Sequence, residues 1–141
     1  MKRTFISSCY DDTRAMGASL ARTLKPGDVV ALRGDLGAGK TAFTSGALEA
    51  LGCEGPFNSP TFAIAREYSG KNAECVHFDM YRIHSEQELY STGFYDYLDE
   101  KHILFIEWCE NIEWALPEDS INVTVEGSGE EERKITVEVD L

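Results

Sequence analysis

A chain of 141 residues, 43% apolar and 27% charged, has the size and balance of one globular domain with a core large enough to need no staples. No apolar run approaches the roughly 20 residues that cross a bilayer, and the stretch MKRTFISSCYDD lacks the long apolar core of a secretory signal. Thirteen basic against twenty-five acidic residues leave a formal charge of −12, which opposes tight direct binding to RNA or DNA, because that affinity comes largely from phosphate neutralisation.

Met16, Leu20 and Leu24 recur at helical spacing, so an amphipathic helix is expected between Asp11 and Leu24, stopped by the KPG at 25–27. The short apolar run DVVALR (28–33) reads as a buried strand leading into GDLGAGKT, Gly34 to Thr41. KTAFTSGALEAL (40–51) reads as the next helix, closed by Gly52. Segments 61–68 and 74–80 flank SGKN and suggest an antiparallel hairpin. Ser85 followed by Glu88 fits a capping box, opening a helix that ends near Gly93. HILFIEW (102–108), with Ile103 to Ile106 apolar in succession, is the candidate second central parallel strand. Ile121, Val123 and Val125, then Ile135, Val137 and Val139, alternate strictly around GSGEEE and predict a half-buried terminal hairpin. The four cysteines (Cys9, Cys53, Cys75, Cys109) form no CxxC pair, so free thiols in a reducing cytoplasm are expected rather than a zinc site.

Strand, glycine loop and helix are the context of a phosphate-binding loop. The predicted fold is therefore α/β, a P-loop NTPase-like sandwich with a mixed central sheet, helices on both faces and a C-terminal β-hairpin. Backbone N–H groups of Leu36, Gly37, Ala38, Gly39, Lys40 and Thr41 would face one concavity, reinforced by the positive end of the helix. Lys40 would reach the β- and γ-phosphates, and the Thr41 hydroxyl would ligate Mg²⁺. Magnesium also needs a carboxylate. Glu107 ends the more continuously apolar strand and is favoured as ligand, while Asp79 could hold a metal-linked water or polarise the attacking one. Thr61, in SPTF, is placed to sense the γ-phosphate, as switch loops do. Trp108 would lie near the site rim, and Arg82 could pair with Asp79 or with phosphate. His77, His84 and His102 show no metal-ligand spacing, and each reads first as structural.

No N-K-x-D segment for guanine is present, and DMYR follows no DxxG pattern, so ATP is favoured as the nucleotide. Nor do the scattered arginines suggest the lid of a small-molecule kinase. GDLGAGKT, SPTF, HFDMYR and IEW, in this order and spacing, resemble the bacterial TsaE (YjeE) family over roughly residues 5 to 126. The resemblance implies a P-loop ATPase that acts with TsaB and TsaD in forming threonylcarbamoyladenosine, next to the anticodon of tRNAs reading ANN codons. It implies ATP binding and slow hydrolysis, not the transfer itself, with tRNA held by the partners. By the same resemblance Thr41 and Glu107 bind Mg²⁺, Asp79 and Trp108 match family positions, the base is held partly near Tyr10, and Arg133 is the counterpart of a tail residue near the nucleotide. Two other readings stay open: a nucleotide-gated assembly module in which hydrolysis is incidental, and a small-molecule phosphotransferase.

Overall fold

Val29 to Leu32 and Ile103 to Ile106 are apolar without a break, and such runs persist only where both faces of a strand are covered. A computed structural model, describing residues 2–34, 39–57, 64–71, 73–127 and 132–138, puts both runs at the centre of one sheet. Its seven strands are β1 (Lys2–Ser7), β2 (Val29–Gly34), β3 (Ala65–Ser69), β4 (Glu74–Asp79), β5 (His102–Glu107), β6 (Ile121–Gly127) and β7 (Arg133–Glu138). They lie in the order β1-β7-β6-β2-β5-β4-β3. The centre is parallel, with β2 paired to β5 and β6, and β4 paired to β5. The margins are antiparallel.

Alternation along each strand divides the core in two. Val30, Leu32, Phe105, Val123 and Ile135 face α1 (Tyr10–Ala21) and α2 (Lys40–Ala50), where Phe43 and Leu48 are fully buried. Val29, Ala31, Val76, Phe78, Leu104 and Ile106 face the opposite side. That side is covered by α3 (Glu86–Ser91) and two 3₁₀ segments, Phe94–Tyr97 and Cys109–Ala115, the second kinked at Ile112. The fold class is the predicted one, an α/β sandwich with helical cover on both faces of a mixed sheet.

Local signals set several boundaries. Gly52, at φ +87°, ends α2, and Cys53 N–H returns to Leu48 O at 3.0 Å, satisfying a carbonyl of the last turn. Ser85 Oγ accepts from Glu88 N–H at 3.1 Å and starts α3. The hairpin of β3 and β4 forms as expected, although residues 61–63 lie outside the described residues. So does Val139, at the end of the terminal hairpin's predicted second strand.

Two features differ from the sequence reading. β1 was not predicted, because five of its six residues are exposed and no apolar alternation marks it. It exists through its backbone ladder to β7, so the terminal hairpin is enclosed between β1 and the central β2 rather than left at the margin. Helix α1 ends at Ala21, three residues short of Leu24, yet Leu24 still packs on the core. Among the described residues no helix is long and apolar enough to cross a membrane, and none of the four cysteines is bridged.

Candidate functional site

The C-terminal ends of β2, β4 and β5 lie side by side, and each ends in a residue the sequence singled out. At the end of β2, Gly34 has φ +126°, and a Cβ there would lie 2.0 Å from Val125 O. The approach of β6 therefore requires glycine at this corner. The chain re-enters the described residues at Gly39, the N-cap of α2, with φ 105° and ψ 15°. No acidic residue sits in the first turn of α2, so the positive end of its peptide dipoles is not offset there. Lys40, only 6% exposed, donates from Nζ to Gly34 O at 3.1 Å. Its ammonium also lies 5.3 Å from the centroid of the Trp108 ring. A buried ammonium is costly unless anions or dipoles surround it, and here the Gly34 carbonyl and the face of Trp108 hold it in place.

Two carboxylates end the adjacent strands, and the charge of Lys40 acts on that of Asp79. The parallel register sets Asp79 directly beside Glu107. Glu107 is 6% exposed, and its Oε2 lies 2.8 Å from His77 Nε2. Asp79 Oδ1 accepts from Tyr81 N–H at 2.9 Å. Burial raises the Asp79 carboxyl above its ordinary range and the adjacent Glu107 adds to this, while Tyr81 N–H, His77 and Lys40 oppose the shift. Repulsion between neighbouring carboxylates is what a divalent cation relieves, and hard oxygen donors suit magnesium, which takes one or two protein ligands and fills the rest with water and phosphate. Asp79, Glu107 and the Thr41 hydroxyl, next to Lys40 on α2, therefore fit that ion chemically.

Trp108 follows Glu107 in the left-handed region, φ 57° and ψ 36°, which turns the chain sharply off β5. Its ring meets that of Tyr81 at 4.8 Å, and Asn111 Nδ2 donates to Met80 O and Tyr81 O, tying the ends of β4 and β5 together. On the other flank, a Cβ built on Gly39 would lie 3.7 Å from Arg133 Nε and 3.8 Å from Thr13 Cγ2. β7 and the first turn of α1 thus border Gly39. A groove of about 850 Å³ beneath α1, lined by Phe5, Met16, Leu20, Ile121 and Val137, contains none of these residues.

A model of the family described as "Threonylcarbamoyl adenosine biosynthesis protein TsaE" matches residues 7–135. The chain belongs to the TsaE family. It is 40% identical over 126 residues to the tRNA threonylcarbamoyladenosine biosynthesis protein TsaE of Bacillus subtilis, covering 89% of this chain and 78% of that one. The protein of the same description from Treponema pallidum is 33% identical over 132 residues, 94% of this chain and 97% of the relative. The crystal structure of Bacillus subtilis YdiB superposes with a TM-score of 0.84 at 32% identity, over 99% of this chain and 87% of that structure.

Within this TsaE-family fold, Lys40 lies against Trp108 and acts on the charge of Asp79, Asp79 pairs with Glu107, Thr41 adjoins Lys40, and Gly39 and Arg133 are neighbours. Tyr10 opens α1 and is 60% exposed, on the same turn that brings Thr13 toward Gly39. Leu36, Gly37, Ala38 and Thr61 lie outside the described residues. Arg82 is exposed and, among the described residues, forms no ion pair with Asp79. His77, which reads from the sequence first as structural, meets Glu107 in the fold. The signal was there: in HFD the histidine and aspartate are two apart, so on a strand they share one face, and that face needed only a neighbouring strand ending in an acid.

Proposed function

We propose that this protein binds ATP with Mg²⁺ between β2, β4 and β5, hydrolyses it slowly, and so drives or resets a TsaB–TsaD complex that forms threonylcarbamoyladenosine next to the anticodon. The observation that carries the reading is the buried Lys40 ammonium, anchored on Gly34 O and acting on the charge of Asp79, which the register sets beside Glu107. Lys40 exchanges a backbone carbonyl for phosphate oxygens, a stronger charge-assisted partner. Thr41 and Glu107 hold the metal, which when bound neutralises charge building on the β- and γ-phosphate oxygens. Asp79 orients a water by accepting a hydrogen bond, with Tyr81 N–H fixing its other side. Arg133, beside Gly39, and Tyr10, on the first turn of α1, border the nucleotide, while Trp108 braces Lys40. An acidic protein assists tRNA chemistry in the cytoplasm without gripping tRNA, and it presents a surface that basic partners can meet.

Calorimetry with Lys40→Ala tests the site: ATP affinity should fall at least 100-fold with the fold intact. Full retention of affinity would overturn the assignment. Reconstituted tRNA modification then separates roles. Turnover that needs ATP and stalls with a non-hydrolysable analogue supports a driving ATPase, undiminished turnover with the analogue supports an assembly module, and a phosphorylated small molecule supports a phosphotransferase.

A further inference from the structure

His77 is 2% exposed and ends its side chain on Glu107 Oε2, at 2.8 Å. A carboxylate can only accept, so Nε2 carries the hydrogen and donates it. The placement follows from the sheet. On β4, His77 and Asp79 are two residues apart and share a face, and the register puts Asp79 across from Glu107 and His77 across from Phe105. The imidazole therefore reaches diagonally over Phe105 to the end of β5, where it meets Glu107 from below while Asp79 stands beside it. Glu107 has flexible side-chain torsions, and the buried donor His77 is one contact that restrains them, acting on Oε2.

We propose that His77 is a positioning residue: by holding Glu107 Oε2, it sets the orientation in which Glu107 meets the nucleotide-bound magnesium. This rests on the ATP–Mg²⁺ reading above and adds to it a residue that touches neither nucleotide nor metal. Donors behind metal-binding side chains orient them, and their removal costs about 10- to 100-fold in metal affinity.

The test compares ADP binding with and without Mg²⁺ by calorimetry, and Mn²⁺–ADP binding by electron paramagnetic resonance, in the full chain. In His77→Leu the gain in ADP affinity on adding Mg²⁺ should shrink about 10- to 100-fold, Mn²⁺ should bind correspondingly weakly, and metal-free ADP affinity should stay within about twofold. His77→Gln, whose amide can donate near the Nε2 position, should restore most of the gain. Should the leucine variant not fold, His77→Asn, whose donor falls short of Glu107, serves in its place. An unchanged metal gain in the donor-less variant would overturn the proposal. So would equal losses of metal-free and metal-bound affinity, which would mark a merely structural histidine. Absence of nucleotide binding by the unaltered protein would instead sink the ATP reading, and this inference with it.

Discussion

Asp79 sits where its environment opposes its charge. Burial and the adjacent Glu107 raise its carboxyl above the ordinary 3.8, so between 3.8 and that raised value the folded protein binds more proton here than the unfolded chain does. By linkage, the native state loses stability as pH climbs from 3.8 through the raised folded value, and the loss is complete above it. Asp79→Asn should therefore melt at a higher temperature than the parent at neutral pH in magnesium-free buffer, and the difference should shrink as pH is lowered toward 3.8. Thermal scans across pH check this. A pH-independent difference would mean that the effect is packing, not charge. If the proposed ATP reading holds, the same variant should lose hydrolysis while gaining stability, the trade expected of a destabilising catalytic group. Trp108 carries a related cost, since a non-glycine residue in the left-handed region is disfavoured by roughly 1–2 kcal/mol, and its return is a ring lying against Lys40.

Helix α2 aims Lys40 and Thr41, and its position is set by backbone contact with α1. A Cβ on Gly46 would lie 1.9 Å from Arg14 O, and one on Gly17 would lie 1.9 Å from Phe43 O. The two helices therefore meet main chain to main chain, and no side chain can be inserted without moving one of them. Gly46→Ala should destabilise the protein by at least about 1–3 kcal/mol, the range for overpacking, measurable by urea unfolding. Because α2 must shift to accept the methyl group, nucleotide affinity should also drop. An unchanged unfolding midpoint in Gly46→Ala would require helices free to slide apart, and so would contradict the packing described. At the start of α3 a smaller effect is expected: Ser85→Ala removes the cap to Glu88 N–H and should cost about 1 kcal/mol.

At the scale of the molecule, the sheet brings Gly34, Glu107 and Asp79 to one end. In open α/β sheets, ligands sit outside the carboxyl ends of the parallel strands, and here β2, β5 and β4 end in Gly34, Glu107 and Asp79 as adjacent strands. The formal charge of −12 of the whole chain opposes the tight binding of a large polyanion such as nucleic acid. Isolated protein should accordingly bind tRNA no tighter than the nonspecific range of about 10⁻⁴–10⁻⁶ M at physiological salt. A titration finding nanomolar affinity with a steep salt dependence would mean that a basic surface has been overlooked.

Much of this was legible in local sequence, because the rules involved are local. A glycine loop between an apolar run and a helix marks Lys40 and Thr41, apolar runs ending in an acid mark Asp79 and Glu107, and Ser85 and Gly52 mark helix ends. What required the tertiary structure is whatever depends on pairing between distant segments. β1 has no apolar signature and is a strand only because β7 offers it a ladder. Arg133 reaches Gly39 only because the terminal hairpin docks on β2. His77 meets Glu107 only in one register of β4 against β5, since a slip of one residue would turn it to the opposite face. Chain-local periodicity specifies which groups a strand carries; the long-range register decides which of them touch.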